Sequence, residues 1–259
     1  MTHSTIEQIH RAKTGKVSDK WTSYLTLYDQ LFETYRTQAI SLLEIGVQNG
    51  GSLETWSRYF SQAKTLIGCD INERCRQLVY DDSRVKVVVG DANQAATRQE
   101  IVSICNEFDI IIDDGSHISN DILYSFCLYF PLLRPGGLFV IEDTHTLYKQ
   151  AWGGGILNEH SAYHFFKKII DVINLQFWGN ELPIELYFSS FFHKEKVPAF
   201  IKQGWIESIE FRNSVVVIRK SLEASNQKLG QRIVTGTMAQ VTDAPLKVKT
   251  ASPTQGDTV

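Results

Sequence analysis

The sequence has no strong excess of charge of either sign. It contains 26 lysine and arginine residues against 29 aspartate and glutamate residues, which gives a net charge of -3 at pH 7. The basic residues are scattered along the chain instead of forming a stripe, so a polyanion would meet no concentrated positive surface. We therefore expect no nucleic acid partner.

Long apolar runs and paired cysteines are also missing. No apolar run approaches the roughly 20 residues that a membrane-spanning helix requires, and the stretch from Met1 to Lys20 is polar. The four cysteines include no Cys-x-x-Cys pair, and we interpret them as reduced thiols. These absences predict a cytoplasmic protein without a membrane partner.

A length of 259 residues with 43% hydrophobic residues is enough for one substantial core. We predict one main domain over residues 40–220, preceded by a helical segment over 1–39. From about Glu223 the sequence is polar and lacks aromatic residues. This composition predicts a disordered tail over 221–259.

Short apolar runs rich in Ile, Val and Leu predict five buried strands: Ile40–Val47, Thr65–Asp70, Val85–Gly90, Phe108–Asp113 and Leu138–Glu142. The intervening stretches predict helices over Ser52–Phe60, Arg74–Val79, Thr97–Ile104 and Ser119–Leu133, the last ended by Pro135-Gly136-Gly137. A further helix is predicted over Asn158–Leu175, and a closing hairpin over Ile206–Phe211 and Val215–Arg219. Alternating strands and helices predict an α/β fold, in which helices cover both faces of a mostly parallel sheet.

Aromatic residues recur in the N-terminal segment at spacings that suit one face of a helix: Trp21, Tyr24, Tyr28, Phe32 and Tyr35. Two interpretations remain open. The row either packs against the core of the domain or forms a lid over the site.

The first predicted strand breaks into a glycine-rich turn, Glu44-Ile45-Gly46-Val47-Gln48-Asn49-Gly50-Gly51-Ser52. Ligands bind at such turns in open α/β sheets, and we expect Gly46 and Gly50 to approach one closely. The turn does not read G-x-G-x-x-G, which argues against NAD or FAD. Glu44 would repel a phosphate but could hold the ammonium group of a sulfonium cofactor, directly or through water. Ser52 is expected to line the same site.

Acidic residues also end the next two strands. Asp70 can accept hydrogen bonds from both hydroxyls of a ribose, and Asp91 can meet an adenine edge. Each alone is as compatible with a helix cap or a turn. Acidic residues at three successive strand ends are a stronger signal for a nucleoside-containing ligand.

The order of glycine turn, Asp70 and Asp91 resembles the class I methyltransferase pattern over roughly Ile40 to Arg219. The resemblance implies a Rossmann-like fold with a seven-stranded sheet. It also implies that the cofactor is S-adenosylmethionine. We expect Asp113 to bind this cofactor as well.

The fourth strand runs into Asp113-Asp114-Gly115-Ser116-His117, and the fifth into Glu142-Asp143. If these strands are neighbours about 4.8 Å apart, then Asp114, Glu142 and Asp143 can converge on one cation. Oxygen ligands favour Mg²⁺, with Mn²⁺ or Ca²⁺ as alternatives. Such a cation binds and orients substrate oxygens, while His117 is the candidate general base. Alternatively, the acidic residues cap the following helix and the histidines have no catalytic role.

Both acidic motifs resemble those of metal-dependent sugar O-methyltransferases of macrolide biosynthesis, a group related to rhamnosyl O-methyltransferases and cephalosporin-hydroxylase-like proteins. The resemblance implies that Asp114, Glu142 and Asp143 bind Mg²⁺ and that His117 acts as the base. Residues 18–20 and 24–29 are also similar to the lid-forming segment of that family.

The leading hypothesis is Mg²⁺-dependent methyl transfer from S-adenosylmethionine to a hydroxyl of a sugar or glycosylated metabolite. Catechol-type acceptors are compatible with the same mechanism. The alternatives are a hydroxylase-like oxygenase, for which no 2-His-1-carboxylate set is evident, and a non-catalytic cofactor-binding subunit. We expect Tyr148–Gly155 to form a mobile acceptor loop. The oligomeric state stays open, with a homo-oligomer as one alternative.

Overall fold

A computed structural model describes residues 4–179, 182–193 and 196–242 of the chain. Among the described residues, those up to Asn226 form one compact unit by their contacts, and those from Gln227 onward belong to a second unit. Residues 227–242 contain no helix or strand. The remainder of the predicted disordered tail, residues 243–259, lies outside the described residues.

The seven strands form one sheet in the order β3-β2-β1-β4-β5-β7-β6. The first five strands are parallel, whereas β7 runs antiparallel to both β5 and β6. Their bounds are β1 Ser41–Ile45, β2 Thr65–Asp70, β3 Val85–Val89, β4 Phe108–Asp113, β5 Leu133–Ile141, β6 Ile206–Arg212 and β7 Val215–Lys220. The predicted Rossmann-like sheet is thereby confirmed.

The described α-helices are α1 Ile6–Ala12, α2 Thr22–Phe32, α3 Gly51–Tyr59, α4 Ala95–Ile104, α5 Ser119–Tyr129, α6 Ala162–Ile173, α7 Ile184–Tyr187 and α8 Ala199–Lys202. Short 3-10 helices span Glu33–Tyr35, Glu73–Gln77, Phe130–Leu132, Thr144–Tyr148, Gln150–Trp152 and Leu175–Phe177. Three predicted helices are shorter in the structure, one of them being the helix predicted over Ser119–Leu133, which ends at Tyr129. The stretch expected to be helical from Arg74 forms only a 3-10 turn, and α6 begins at Ala162, where the Ser161 side chain accepts from the His164 amide.

The prediction that Pro135-Gly136-Gly137 lies between a helix and the fifth strand was wrong. The helix gives way to a 3-10 turn at Phe130, and the strand already begins at Leu133. Leu133 pairs with Phe108 and Leu138 pairs with Ile110, so β5 carries extra residues opposite β4. The Pro-Gly-Gly sequence fits this irregularity, because Gly136 adopts φ +81° and proline donates no hydrogen bond to the ladder.

The sheet is buried on both faces, as the apolar strands require. One face packs against an aromatic cluster that includes Phe126 of α5 and Phe165 of α6. The other face packs against α2 and α3, where Trp56 meets Tyr28 and Phe32 edge-on. Each fully buried aromatic side chain contributes roughly 1.5 to 3 kcal/mol relative to exposure. The two helical layers therefore hold the strand ends in fixed positions.

The N-terminal aromatic row is divided between the two interpretations. Tyr24, Tyr28 and Phe32 are buried in the core and Tyr35 is nearly so, which agrees with packing. Trp21 remains 63% exposed. Nowhere in the described ranges is there a helix both long and apolar enough to cross a bilayer.

Candidate functional site

Two cavities adjoin at the carboxyl ends of the parallel strands. The first, of about 470 Å³, is bordered by the tips of β1, β2, β3 and β4. The second, of about 280 Å³, is lined by Asp19, Lys20, Trp21, Tyr24, Asp114, Glu142, Asp143 and His145. Asp19, Lys20, Asp114 and Asp143 line both, so a molecule in one cavity can meet a molecule in the other across these residues.

The glycine turn closes one side of the first cavity. Gly46 adopts φ +86°, and a Cβ there would lie 2.0 Å from the backbone oxygen of Asp114. The glycine is thus required by contact with the loop after β4, as well as by the conformation of the turn. Gly50 adopts φ +75° and faces the Tyr80 hydroxyl instead of the cavity. The structure therefore places Gly46, but not Gly50, where a ligand contact was expected.

Asp70 lines the first cavity and also organises its wall. Its Oδ2 accepts hydrogen bonds from the backbone amides of Val47 and Gln48, at 3.0 and 2.7 Å. Its Oδ1 accepts from the Asn72 amide. The carboxylate therefore ties the glycine turn to the end of β2, and its remaining lone pairs are available to a ligand.

Asp91 behaves similarly at the end of β3. It lines the first cavity, and its Oδ1 accepts from the Asn93 amide at 2.9 Å. Asn93, which sequence reasoning missed, also lines this cavity, and its buried Oδ1 has no hydrogen-bond partner among the described residues. An unpartnered buried acceptor favours a ligand that carries a donor, such as the amino group of an adenine. The only sequence signal for Asn93 is its position just after a strand end.

Glu44 is fully buried and lines neither cavity. Its Oε2 accepts from the Ser52 hydroxyl at 2.6 Å and from Trp56 Nε1 at 3.2 Å, while Oε1 lies 3.8 Å from the Lys20 ammonium. Burial raises the pKa of Glu44 to about 7, against the opposing effect of Lys20. The structure therefore places Ser52 at the cavity wall and Glu44 behind it. Of the two contacts expected between Glu44 and the cofactor ammonium group, this position fits the water-mediated one.

Asp113 and Asp114 follow one another at the end of β4 but face different surroundings. Asp113 is 4% exposed, lines the first cavity and accepts from the Gly115 amide. Burial raises its pKa to about 6. Asp114 lies on the border of both cavities, and burial raises its pKa to about 6 as well, because the effect exceeds the opposing pull of Lys20.

Asp114, His117 and Asp143 come together at the adjacent tips of β4 and β5. Nε2 of His117 lies 4.0 Å from Oδ1 of Asp114 and 3.8 Å from Oδ2 of Asp143. Each of the three residues offers a ligand atom, and these atoms lie within 4.8 Å of one another. His117 and Asp143 both adopt positive φ, +57° and +52°, which is uncommon for residues other than glycine. The arrangement provides two carboxylates and an imidazole that face a common point.

Glu142 stands slightly apart from this group. It is 1% exposed, and its Oε1 accepts from the Lys20 ammonium at 2.6 Å and from the Tyr28 hydroxyl. Burial raises its pKa to about 7 although Lys20 opposes the shift. Its predicted role as a metal ligand stays a prediction, as do those of Asp114 and Asp143.

Lys20 lies at the centre of the acidic residues, whereas the sequence indicated only that residues 18–20 are similar to a lid-forming segment. Its ammonium lies 2.5 Å from Oδ2 of Asp114 and 2.6 Å from Oε1 of Glu142, with the side chain 5% exposed. Burial alone would lower the pKa of Lys20, but the carboxylates around it outweigh that effect and raise it. The lysine is therefore a resident cation in an otherwise acidic site.

Tyr24 and Ser214, which are 190 positions apart in the sequence, contact each other beside Asp143. The Tyr24 hydroxyl donates to Oδ1 of Asp143 at 2.7 Å and lies 2.7 Å from the Ser214 hydroxyl. Ser214, at φ +67° in the β6–β7 turn, also contacts Nδ1 of His145 at 2.6 Å. No local sequence signal identifies Ser214, because only the sheet order brings this turn beside the tip of β5.

The segment after β5 borders the same region. The Trp152 ring lies 6.3 Å from the His117 ring, centre to centre. A Cβ on Gly154 would lie 2.1 Å from the backbone oxygen of Leu147, so this glycine is needed for the close return of the chain. Nδ2 of Asn158 donates to the backbone oxygens of Gly153 and Gly154. The predicted mobility of this loop stays a prediction.

Comparison with known proteins agrees with this geometry. Residues 43–144 match a family described as a methyltransferase domain. The chain is 37% identical over 164 residues to the 8-demethyl-8-alpha-L-rhamnosyl tetracenomycin-C 2'-O-methyltransferase of Streptomyces olivaceus, a match that covers 60% of this chain and 42% of that protein. It is also 37% identical over 166 residues to the mycinamicin VI 2''-O-methyltransferase of Micromonospora griseorubida, covering 60% and 40%.

A solved structure of MycE, a methyltransferase of the mycinamycin biosynthetic pathway in complex with Mg, SAH and mycinamycin VI, superimposes with a TM-score of 0.65 at 29% identity. The superposition covers 88% of this chain and 54% of MycE. The chain thus matches less than half the length of these two curated relatives. The predicted resemblance is confirmed: residues 43–144 match a methyltransferase domain, and the chain is similar to sugar O-methyltransferases of macrolide and tetracenomycin pathways.

Proposed function

We propose that the protein transfers a methyl group from S-adenosylmethionine to a hydroxyl of a sugar or glycosylated small molecule, with the help of a divalent cation such as Mg²⁺. The observation that carries the proposal is the shared border of the two cavities. Asp114 and Asp143 line both, and His117 lines the first beside them. A cofactor in the first cavity and an acceptor in the second would therefore meet at this acidic group.

The residues that line the first cavity suit the cofactor in chemistry. Asp70 and Asp91 offer carboxylate oxygens at adjacent strand tips, and Asn93 offers an unpartnered acceptor. MycE, whose structure contains SAH, shares this fold. These features support a nucleoside with free hydroxyl and amino groups over a dinucleotide with a pyrophosphate.

The acidic group suits a divalent cation in charge. Glu44, Asp114, Glu142 and Asp143 supply carboxylates, whereas Lys20 is the cation that pairs with the first three. Burial raises the pKa values of Asp114 and Glu142 although Lys20 opposes the shift. The positive charge of Lys20 therefore does not fully offset the cost of burying the two negative charges. Asp114, Glu142 and Asp143 would hold the cation, since carboxylate oxygens are the ligands that Mg²⁺ prefers. When bound, it would make an acceptor hydroxyl more acidic and hold it in place.

His117 is the residue we assign as general base. Its imidazole lies beside Asp114 and Asp143, and Nε2 faces an oxygen of each. The nearby carboxylates would stabilise the imidazolium that forms when the ring takes the acceptor proton. The deprotonated oxygen would then attack the cofactor methyl group in line with the departing sulfur, and proximity of the two reactants contributes much of the rate.

The proposal is tested with labelled S-adenosylmethionine and a panel of rhamnosides, macrolide glycosides and catechols, with and without Mg²⁺. We expect label in a glycoside, dependence on Mg²⁺ and loss of transfer in chelator. Transfer that persists undiminished in chelator would contradict the metal role. Oxygen consumption without methyl transfer would support the oxygenase alternative instead.

A further inference from the structure

Each of the three predicted metal ligands has one carboxylate oxygen held by the N-terminal segment. Lys20 donates to Oδ2 of Asp114 and to Oε1 of Glu142, at 2.5 and 2.6 Å. Tyr28 adds a second hydrogen bond to the same oxygen of Glu142, and Tyr24 donates to Oδ1 of Asp143 at 2.7 Å. The three donors thus reach all three of the predicted metal ligands.

All three donors come from one short segment, residues 20–28. Tyr24 and Tyr28 are four residues apart within α2, so they project from the same side of the helix, whereas Lys20 lies two residues before the helix begins. The helix itself is fixed in the core, because Tyr28 stacks on Phe32 at 4.9 Å and both meet Trp56 edge-on. The two tyrosine hydroxyls are therefore presented from a helix that the core holds in place.

The second oxygen of each carboxylate is left uncommitted. Oδ1 of Asp114 and Oδ2 of Asp143 face His117 at 4.0 and 3.8 Å, distances that are too long for hydrogen bonds. Within the described part of the chain, no hydrogen bond uses either of these oxygens or Oε2 of Glu142. The division between held and uncommitted oxygens is the same in all three residues.

We propose that Lys20, Tyr24 and Tyr28 are positioning residues, which hold one oxygen of each acidic side chain so that the other is directed to a divalent cation. The inference rests on the proposed function of this site as a metal centre. A carboxylate that is already oriented loses less rotational freedom when it binds an ion. Partners of this kind, which touch the ligands but not the metal, typically contribute a factor of 10 to 100 in metal affinity.

The two tyrosines allow a sharper test than the lysine. Replacing Lys20 would disturb orientation and also remove a positive charge, and these two changes affect cation affinity in opposite directions. Tyr24→Phe and Tyr28→Phe each remove only a hydroxyl, with no change in charge and little change in shape. Tyr35→Phe is a matched control, because its hydroxyl donates to the Gly136 backbone oxygen at 2.8 Å, away from the acidic residues.

The experiment is a Mn²⁺ titration of the full chain followed by electron paramagnetic resonance, with S-adenosylmethionine affinity and Tm measured on each variant. We expect Tyr24→Phe and Tyr28→Phe to weaken Mn²⁺ binding about 10-fold or more, while cofactor affinity stays at the wild-type level. Tyr35→Phe should bind Mn²⁺ like the wild type.

Wild-type Mn²⁺ affinity in Tyr24→Phe and Tyr28→Phe would overturn the positioning role while leaving the metal centre intact. An equal loss of Mn²⁺ affinity in Tyr35→Phe would also overturn it. The loss would then reflect the general stability of the N-terminal segment and not the orientation of the carboxylates. A wild-type protein that binds no Mn²⁺ would refute the metal centre itself, and the inference with it. Should Tyr28→Phe fail to fold, Tyr24→Phe decides the question alone.

Discussion

The Lys20 ammonium donates to Oε1 of Glu142 across 2.6 Å, and the two residues are separated by 122 positions in the sequence. The contact is almost completely shielded from water, with the side chains 5% and 2% exposed. Such a pair adds little stability compared with an apolar replacement of both partners, but removal of one partner alone leaves a buried charge uncompensated. The lysine and the acidic group therefore depend on each other.

This dependence predicts the behaviour of Lys20→Met. In the absence of metal, the substitution should lower the free energy of unfolding by roughly 3 to 5 kcal/mol, because Asp114 and Glu142 lose their counter-ion. Added Mg²⁺ should restore part of the loss, which is measured as Tm with and without the ion. Lys16→Met serves as control, since the Lys16 ion pair with Glu54 is more exposed and lies outside the site. An equal, Mg²⁺-independent loss in both variants would contradict the prediction.

A second prediction separates the two histidines of the site. His117→Ala should reduce turnover by roughly 10² to 10⁴-fold, the usual contribution of general acid-base catalysis, with Mn²⁺ and cofactor affinity little changed. His145→Ala should have a smaller effect, because its Nδ1 is engaged by Ser214 and the ring is 43% exposed. Turnover and Mn²⁺ binding are measured on both variants. If His145→Ala lost activity while His117→Ala kept it, the assignment of the base would be reversed.

A third prediction concerns Trp21. This residue is 63% exposed at the edge of the second cavity, where the other lining residues are polar or charged. An acceptor sugar could cover the indole with its C–H face, so Trp21→Ala should raise the acceptor KM about 10-fold, equivalent to about 1.4 kcal/mol. The cofactor KM should not change. Phe177→Ala is a matched control, because Phe177 is also 63% exposed and lines neither cavity. Equal acceptor KM values in both variants and the wild type would exclude this role.

A fourth prediction follows from the burial of Glu44. Burial raises its pKa from an ordinary value near 4.5 to about 7, so between these pH values the folded protein retains a proton that the unfolded chain releases. This contribution to stability is complete below pH 4.5 and is lost as pH rises toward 7. In metal-free protein, Glu44→Gln should therefore show a smaller fall of Tm between pH 5 and pH 8 than the wild type. Identical pH profiles for the two proteins would show that Glu44 ionises normally.

The sheet was predictable because its strands carry a local signal. Thr65–Asp70 and Phe108–Asp113 are bounded in the structure as in the prediction, since each is rich in apolar residues and ends in an acidic residue. The start of β5 was missed because Leu133 and Leu138 belong to one strand interrupted by Pro-Gly-Gly, and only pairing with β4 reveals its continuity. Periodicity alone cannot detect a strand that contains its own irregularity.

The acidic residues of the site were identified for the same reason, whereas their partners were not. Asp114, His117 and Asp143 lie within a few residues of strand ends, so their convergence follows from strand order. Lys20 belongs to a segment more than ninety residues away from the nearest of them, and Ser214 to a turn that the antiparallel β7 brings alongside β5. Contacts of this range are set by tertiary packing, which no local pattern records.

Ser214 contacts parts of the site that are synthesised well before it. Thr144 donates its amide to the Ser214 backbone oxygen, and the Ser214 hydroxyl meets both His145 and Tyr24, the latter across 190 positions. On the ribosome, the glycine turn and the tips of the parallel strands emerge well before this serine. A nascent chain that stalls ahead of the last hairpin would therefore carry the wall of the first cavity but an acidic site that still lacks its final support.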